Sequence, residues 1–311
     1  MKHLISIRDL TKDSAVDLLD SAQRLSQVNQ RTIKSLPALR GKTVVNLFYE
    51  NSTRTRISFE IAAKRLSADV INFDAQSSSA SKGESLKDTA QTLEALGAAA
   101  IIVRHPMSGA AHALANRGWV SASIINAGDG RHEHPTQALL DALTIRQLKM
   151  PGNDLAGIRV LIVGDIEHSR VARSNILLLS ALGATVSVAG PSTLLPEGIE
   201  AMGAKVYKSF DEALDEKPDV VMMLRVQLER MQKDDTFSTR DYIANWSLDQ
   251  TRLGLLGKET VIMHPGPMNR GLEISNQAAN DPRSAVLRQV ENGLAARMAV
   301  LHRALSGEDA N

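Results

Sequence analysis

The chain has 311 residues, 43% of them hydrophobic and 23% charged, which predicts about two globular domains with hydrophobic cores of their own. Lys plus Arg number 36 and Asp plus Glu number 35, and this balance argues against binding to nucleic acids or membrane surfaces, which requires concentrated positive charge. The absence of cysteine excludes disulfides, thiolate nucleophiles and cysteine-bound metal sites and is consistent with a cytoplasmic protein.

Short apolar and β-branched runs alternate with helical patterns along most of the chain. The predicted strands are residues 43–49, 69–73, 98–103, 121–126, 158–163, 185–189, 205–207, 219–224 and 260–263. Several strands are apolar without interruption, as expected of strands covered on both faces. The main predicted helices are residues 54–66, 85–96, 136–148, 169–182 and 284–305. This alternation predicts an α/β protein with right-handed crossovers and parallel sheets.

Residues 149–154, Lys-Met-Pro-Gly-Asn-Asp, are the strongest break in the pattern and separate two α/β halves of similar pattern. We therefore predict two domains, 1–150 and 151–283, each with a doubly wound parallel sheet. The final helix is amphipathic and long enough to pack back on either half. Its apolar positions are Val286, Leu287, Val290, Leu294, Met298 and Leu301.

Nothing in the sequence predicts a membrane span or a targeting segment. The longest apolar runs, residues 98–103 and 220–224, are far shorter than the roughly 20 residues that a span requires. Residues 1–9 are too polar for a signal peptide. The chain also lacks the G-x-x-x-x-G-K-[ST] and G-x-S-x-G motifs, which argues against a nucleoside triphosphate site and against acyl-enzyme hydrolysis.

The loop after the first predicted strand has the composition of an anion site. Residues 50–56 read Glu-Asn-Ser-Thr-Arg-Thr-Arg and run directly into a helix. Free backbone N–H groups at a helix start, several hydroxyls and an arginine suit a phosphate-like dianion. The hydroxyls of this segment are those of Ser52, Thr53 and Thr55, and its arginines are Arg54 and Arg56. The alternative is ordinary capping of the helix by a hydroxyl or amide side chain of this loop, with the arginines solvated.

Three further polar residues follow the next strands of the first half. Arg104 comes directly after residues 98–103, and its alternative is an ordinary surface arginine. His134 precedes a proline, which holds it out of the following helix, where it could donate to a developing oxyanion. Gln137 lies in the first turn of that helix and could hydrogen-bond a small amide. His134 could instead serve only the local backbone, or pair with His132 on a metal ion, although no downstream ligand spacing supports a metal.

The second half supplies a matching set at the ends of its strands. Arg170 opens a helix after residues 158–163, where Gly164 alone does not make a dinucleotide-binding motif. Arg225 and Gln227 follow residues 219–224. The His-Pro-Gly-Pro loop at 264–267 presents a rigid backbone whose carbonyls could accept hydrogen bonds, and its alternative is a tight turn without a ligand.

Six segments resemble motifs of the aspartate/ornithine carbamoyltransferase family, in the family's order and spacing and over nearly the whole chain. Residues 48–56, Phe-Tyr-Glu-Asn-Ser-Thr-Arg-Thr-Arg, resemble the carbamoyl phosphate motif, and residues 134–141, His-Pro-Thr-Gln-Ala-Leu-Leu-Asp, resemble the second signature. The segments that fit the aspartate branch are 81–85, 164–170, 225–227 and 264–271.

This resemblance implies transfer of the carbamoyl group from carbamoyl phosphate to L-aspartate, which gives N-carbamoyl-L-aspartate and phosphate in de novo pyrimidine (UMP) biosynthesis. It implies no metal and no cofactor. Domain 1–150, completed by the helix at 284–311, is expected to bind carbamoyl phosphate, and domain 151–283 is expected to bind aspartate. The family also implies a homotrimer with shared active sites, either alone or in a larger assembly with regulatory or dihydroorotase-like chains.

The family's site residues map onto individual positions of this chain. The phosphate contacts are Ser52, Thr53, Arg54 and Thr55. The groups that polarise the carbamoyl oxygen are Thr55, Arg104 and His134, and the carbamoyl amide meets Gln137 and the Pro267 carbonyl. The aspartate contacts are Lys82, Arg170, Arg225, Gln227, Gly266 and Pro267, with Lys82 supplied by a neighbouring subunit. The family's loop serine is one of Ser77, Ser78, Ser79 and Ser81, with Ser78 the best match.

Two alternatives to the aspartate branch remain at this point. An ornithine or other amino-acid carbamoyltransferase shares the phosphate motif, but the ornithine pattern has a cysteine in the loop equivalent to 264–267, and this chain has none. The cations Lys82, Arg170 and Arg225 also suit a dicarboxylate rather than an ammonium side chain. The second alternative is a non-catalytic paralogue that binds phosphate compounds, although every matched position carries the residue type that the chemistry requires.

Overall fold

The computed structural model describes residues 1–74, 83–149, 154–227 and 238–307. The chain divides into two compact units, one made of Met1–Leu143 with Val290–Asn311 and the other of Thr144–Gln289. Among the described helices, none combines the length and the apolar character needed to cross a membrane.

The first unit is built on a four-stranded parallel sheet. Its strands are β1 (Thr43–Phe48), β2 (Asp69–Asp74), β3 (Ala98–His105) and β4 (Ser123–Asp129), in the order β2-β1-β3-β4. Its helices are α1 (Lys12–Ser26), α2 (Thr53–Arg65), α3 (Leu86–Ala95), α4 (Ala110–Asn116) and α5 (Pro135–Lys149), which runs across the division between the units. Short 3₁₀ turns occupy Ile7–Asp9, Gln27–Gln30 and Pro37–Leu39.

The second unit is built on a five-stranded parallel sheet. Its strands are β5 (Arg159–Val163), β6 (Thr185–Ala189), β7 (Ala204–Tyr207), β8 (Val220–Met223) and β9 (Val261–Met263), in the order β7-β6-β5-β8-β9. Its helices are α6 (Arg170–Ala181), α7 (Phe210–Asp215), α8 (Thr239–Trp246), α9 (Gln250–Leu255) and α10 (Asn276–Ala279). Short 3₁₀ turns occupy Ser192–Leu194 and Ile199–Met202.

The predicted α/β fold with two doubly wound parallel sheets is confirmed. Strands β4 and β8 are buried along their whole length, as expected of strands covered on both faces. Most predicted strands differ from the observed ones by one residue at an end, and the ends of β3 and β4 differ by two or three residues. Strand β3 continues to His105 and β4 to Asp129, because Arg104 pairs with Phe48 of β1 and His105 pairs with Asp129.

The last helix, α11 (Val286–Leu305), returns to the first unit, as the family resemblance implied. The Arg297 guanidinium lies 5.1 Å from the centroid of the Phe59 ring on α2, and the Ser123 hydroxyl donates to the Ala304 carbonyl at 3.2 Å. Two of the apolar positions of its predicted amphipathic face, Leu287 and Val290, are instead exposed. The buried residues of the helix combine small and apolar side chains with three polar ones, Gln289, Asn292 and Arg297.

The strand order places one ligand-binding edge in each sheet. In the first unit the chain leaves β1 toward β2 and then returns to the other side of β1 to form β3 and β4. In the second unit it leaves β5 toward β6 and β7 and returns to form β8 and β9. Ligands of open parallel sheets bind outside the carboxyl ends of the strands where the order reverses. The expected sites therefore lie after β1 and β3, and after β5 and β8.

Candidate active site

The loop after β1 presents unused donors at the start of α2. The helix begins at Thr53, and the preceding Ser52 has an extended backbone but makes no side-chain hydrogen bond to the helix. The first N–H groups of a helix have no partners within the helix itself. Ser52 is half-buried, Thr53 and Arg54 are exposed, and Thr55 is buried. The Ser52 hydroxyl therefore does not cap α2, and this arrangement favours an anion site.

Arg104 is fixed at the same edge by the ends of two neighbouring strands. Its backbone carbonyl accepts a hydrogen bond from the Tyr49 N–H at 2.8 Å. Its Nη1 donates to the Ala127 carbonyl at 3.4 Å, and its Nε lies 3.4 Å from the Glu50 carboxylate. The side chain is only 15% exposed, which does not fit an ordinary surface arginine. Its guanidinium is therefore held at the carboxyl edge, between β1 and β4.

The turn after β4 is organised by the buried carboxylate of Asp129. It accepts hydrogen bonds from the Asn126 amide at 2.8 Å, the Gly109 N–H at 2.6 Å and the His132 ring at 3.1 Å. Burial by itself would raise the pKa of Asp129, but these hydrogen bonds and the His132 ring hold that pKa below its ordinary value. The His132 ring therefore contacts a carboxylate. Among the described residues no group of three or more His, Asp or Glu side chains could hold a metal ion.

His134 and Gln137 lie where α5 begins, beside the end of β4. The His134 carbonyl accepts hydrogen bonds from the Gln137 N–H at 2.9 Å and the Ala138 N–H at 3.3 Å, while Pro135 occupies the first helical position. The His134 side chain is buried. The Gln137 amide Nε2 donates to the Asp141 carboxylate at 3.1 Å. The predicted residues of the first unit therefore follow three adjacent strands, β1, β3 and β4, at one sheet edge.

In the second unit the loops after β5 and β8 are joined through Asp165, which is fully buried. Its carboxylate accepts the His168 N–H at 3.1 Å and the Gln227 N–H at 3.2 Å, and it lies 2.9 Å from the His168 Nδ1. The Gln227 amide donates in turn to the His168 carbonyl at 3.0 Å. Arg170 is the first residue of α6 and is buried. The structure thus brings Arg170 and Gln227 to adjacent strand ends.

The single glycine of the loop after β5 has a packing role. Gly164 has a φ of +127°, a conformation that other residues rarely adopt. A Cβ atom at this position would lie 2.8 Å from the Tyr242 hydroxyl and 3.3 Å from the Leu224 carbonyl. Gly164 therefore permits the close approach of the loops after β5 and β8. This packing role accounts for a glycine at this position in a chain that lacks the dinucleotide-binding motif.

The loop after β9 is held by a buried His264–Glu273 pair. The His264 Nδ1 accepts from the Gly266 N–H at 2.8 Å, so the ring proton lies on Nε2, 3.1 Å from the Glu273 Oε1. The Asn269 N–H donates to the same carboxylate oxygen at 2.5 Å. The peptide bond between Gly266 and Pro267 is cis, and Pro267 is exposed. The predicted rigid, accessible backbone is present at this edge.

Arg225 lies two residues beyond β8 and is half-buried, next to Val226, whose carbonyl accepts from the Asn269 amide at 3.3 Å. The loops after β8 and β9 are therefore connected. Lys82 and the candidate serines Ser77, Ser78, Ser79 and Ser81 lie outside the described residues.

The sequence analysis missed the acidic residues that position the predicted ones. These are Glu50, Asp129, Asp141, Asp165 and Glu273. Asp141 could have been found, since it lies four residues after Gln137 on a predicted helix and such residues are neighbours on a helix surface. Gln227, which bonds Asp165, and Arg104, which pairs with Glu50, follow or belong to other strands, and no local pattern indicates these two pairs.

Two family models match the chain, one in each half. The carbamoyl-P binding domain of aspartate/ornithine carbamoyltransferases matches residues 2–147, and the Asp/Orn binding domain matches residues 156–304. The chain belongs to the aspartate/ornithine carbamoyltransferase family. As the order of its motifs implied, it is a carbamoyltransferase.

Individual members of the family resemble this carbamoyltransferase over its whole length. The aspartate carbamoyltransferase catalytic subunit of Clavibacter sepedonicus is 60% identical over 99% of this chain and 98% of its own. The aspartate transcarbamoylase of Trypanosoma cruzi in complex with carbamoyl phosphate and aspartate is 31% identical, with a TM-score of 0.87 over 98% of this chain and 97% of its own. The catalytic subunit of M. jannaschii aspartate transcarbamoylase is 35% identical, with a TM-score of 0.85 over 100% of both chains.

Proposed function

We propose that this carbamoyltransferase is the catalytic chain of an aspartate carbamoyltransferase, which converts carbamoyl phosphate and L-aspartate into N-carbamoyl-L-aspartate and phosphate for pyrimidine biosynthesis. The observation that carries the proposal is that predicted site residues stand at the strand ends where the order of each sheet reverses. Arg54 and Arg104 lie at the ends of β1 and β3, and Arg170 and Arg225 follow β5 and β8. The full-length similarity to catalytic subunits of aspartate carbamoyltransferases supports it.

The first unit is proposed to bind carbamoyl phosphate. The phosphate is held by the start of α2, through the backbone and hydroxyls of Ser52, Thr53 and Thr55 and the guanidinium of Arg54. The carbamoyl oxygen meets Thr55, Arg104 and His134. The carbamoyl amide donates to Gln137 and to the Pro267 carbonyl.

The second unit is proposed to bind aspartate. Arg170, Arg225 and Gln227 hold its two carboxylates, together with the backbone at Gly266 and Pro267. Guanidinium groups suit this role because they pair with carboxylates through two parallel hydrogen bonds. Two contacts support the proposal because they hold Gln227 in place: its backbone N–H donates to the Asp165 carboxylate, and its side-chain amide donates to the His168 carbonyl.

In the proposed reaction the aspartate amine attacks the carbamoyl carbon, and negative charge develops on the carbamoyl oxygen. Donors aimed at such an oxygen each contribute on the order of 3 kcal/mol to lowering the barrier. Holding the two charged substrates in contact is the other large contribution, about 7–11 kcal/mol for well-oriented reactants. Phosphate is a good leaving group, so no covalent intermediate is needed, and the departing phosphate is proposed to accept the amine proton.

The proposed assembly is a homotrimer in which Lys82 of one subunit enters the site of its neighbour. The catalytic-subunit names of the relatives support an oligomer. Regulatory or dihydroorotase-like partner chains and a cytoplasmic location remain predictions of the sequence analysis.

A phosphate-release assay tests the function directly. With carbamoyl phosphate as donor, we expect turnover with L-aspartate and none with L-ornithine, because the cationic residues of the second unit suit a dicarboxylate. Equal or faster release with L-ornithine would assign the chain to the other branch of the family. Carbamoyl phosphate binding without turnover of either amino acid would support the non-catalytic alternative.

The division of roles between the two units gives a second test. Arg225→Ala is expected to raise the KM for aspartate about ten- to a hundred-fold, because one charge-assisted hydrogen bond to aspartate is lost. Carbamoyl phosphate binding is expected to stay intact, because the proposed contact of Arg225 is only to aspartate. Arg54→Ala is expected to weaken carbamoyl phosphate binding itself.

Isothermal titration calorimetry separates the two effects. Arg159→Ala, an exposed arginine at the opposite edge of the second sheet, is the matched control and is expected to change neither. Equal loss of carbamoyl phosphate binding in the Arg225 and Arg54 variants contradicts this division.

A further inference from the structure

A buried polar chain within the first unit leads from Gln137 to the C-terminal helix. The Gln137 Nε2 donates to the Asp141 carboxylate at 3.1 Å, and Asp141 is fully buried one helical turn further along α5. Arg297 on α11 is also buried. Helix α11 packs against α5 beside Asp141, because a Cβ atom at Gly293 would lie both 2.6 Å from the Arg297 Nη1 and 3.3 Å from the side chain of Leu140. The residue that is proposed to receive the carbamoyl amide is thus connected to a helix from the far end of the chain.

The carboxylate of Asp141 determines which way the Gln137 amide faces. An ionised carboxylate only accepts hydrogen bonds, so the amide must turn its NH₂ group toward Asp141. The Gln137 Oε1 then faces away from Asp141, and it has no hydrogen-bond partner among the described residues. A carbamoyl NH₂ group only donates, so it is complementary to an amide oxygen and not to an amide NH₂.

Arg297 supplies the positive charge that a buried carboxylate needs to stay ionised. Burial lowers the pKa of Arg297 to about 10, and the Asp141 charge acts in the opposite direction. The guanidinium also packs on the Phe59 ring of α2, at 5.1 Å from its centroid. A Cβ atom at Gly293 would lie 2.6 Å from the Arg297 Nη1, so glycine one turn earlier leaves room for the guanidinium.

We propose that Asp141 and Arg297 are positioning residues that hold the Gln137 amide oxygen toward the carbamoyl NH₂ and thereby make the site select carbamoyl phosphate over acyl phosphates. This inference rests on the proposed function of the first unit. It assigns the C-terminal helix a part in substrate selection, although neither residue touches the substrate.

Acetyl phosphate tests the selection, because it carries a methyl group where carbamoyl phosphate carries NH₂. Calorimetry with carbamoyl phosphate, acetyl phosphate and inorganic phosphate is expected to show that the wild-type protein prefers carbamoyl phosphate. Asp141→Asn lets the Gln137 amide turn either way, so it is expected to lower this preference about ten-fold. Binding of acetyl phosphate and inorganic phosphate is expected to stay unchanged. Arg297→Gln is expected to act in the same direction, and Arg297→Lys is expected to restore most of the preference.

The matched control is Glu94→Gln, which makes the same chemical change in a carboxylate that binds the Ser121 and Ala122 N–H groups at the amino end of β4. Its preference for carbamoyl phosphate is expected to equal that of the wild type. The positioning role is overturned if Asp141→Asn weakens the binding of all three ligands equally, or if it leaves the preference for carbamoyl phosphate unchanged. If Asp141→Asn does not fold, the Arg297→Gln and Arg297→Lys pair decides the same question. A wild-type protein without any preference would contradict the proposed function instead.

Discussion

Trimers of Lys82→Ala and trimers of His134→Ala are each expected to be nearly inactive, and hybrid trimers formed from the two are expected to regain activity. In the proposed assembly, each site combines His134 of one subunit with Lys82 of its neighbour. A cyclic trimer with both kinds of subunit has one interface at which an intact His134 meets an intact Lys82. Each hybrid is therefore expected to show about one third of the wild-type activity. The measurement is phosphate release after dissociation, mixing and reassembly.

The controls for this experiment separate assembly from chemistry. Each variant is dissociated and reassembled alone, and it is expected to stay inactive. Lys87→Ala removes an exposed lysine from the first turn of α3 and is expected to keep full activity before and after mixing. Verified hybrid trimers without activity would show that each site is contained in one subunit. Full activity of Lys82→Ala trimers on their own would instead make Lys82 an ordinary surface lysine, as lysines in serine-rich loops usually are.

Replacement of Arg104 by methionine is expected to lower kcat about 10²- to 10³-fold, because a donor to the developing oxyanion is lost. The loss is expected mainly in kcat, since the proposed phosphate contacts, Arg54 and the α2 N-terminus, are unchanged. Arg104→Lys is expected to recover only part of kcat, because an ammonium group cannot bond the Ala127 carbonyl and the substrate oxygen with the fork geometry of a guanidinium. Steady-state kinetics in both substrates measures the division between kcat and KM.

Arg117→Met is the matched control for this prediction. Arg117 lies in the same unit, at the end of α4, and its guanidinium packs on the Trp119 ring at 5.3 Å from the centroid. Its replacement is expected to leave kcat unchanged. A kcat for Arg104→Met within ten-fold of the wild type would mean that Arg104 is a structural residue that only joins the ends of β1 and β4.

The sequence indicated the position of a candidate site residue where that position depends only on the nearest strand and helix. Thr55 lies in the first turn of α2, after β1, and His134 directly precedes α5, after β4. Strand ends of a parallel sheet share one edge, so their positions along the chain already indicated a common edge for Arg104 and His134. The residues that hold them could not be predicted in this way. Glu50 reaches Arg104 from a different strand, and Asp165 bonds Gln227 across 62 residues of sequence.

The sequence by itself determined the alternation of strands and helices, because hydrophobic periodicity and helix-start residues act within windows of a few residues. It also determined the family, because six segments match the family's motifs in order and spacing. Only the tertiary structure decided the strand order, and with it the switch points, because many orders satisfy the same apolar pattern. It also decided that α11 buries Arg297 against α2 and leaves Leu287 exposed. Such choices depend on which surfaces and charges meet when distant segments pack, and no local pattern contains that information.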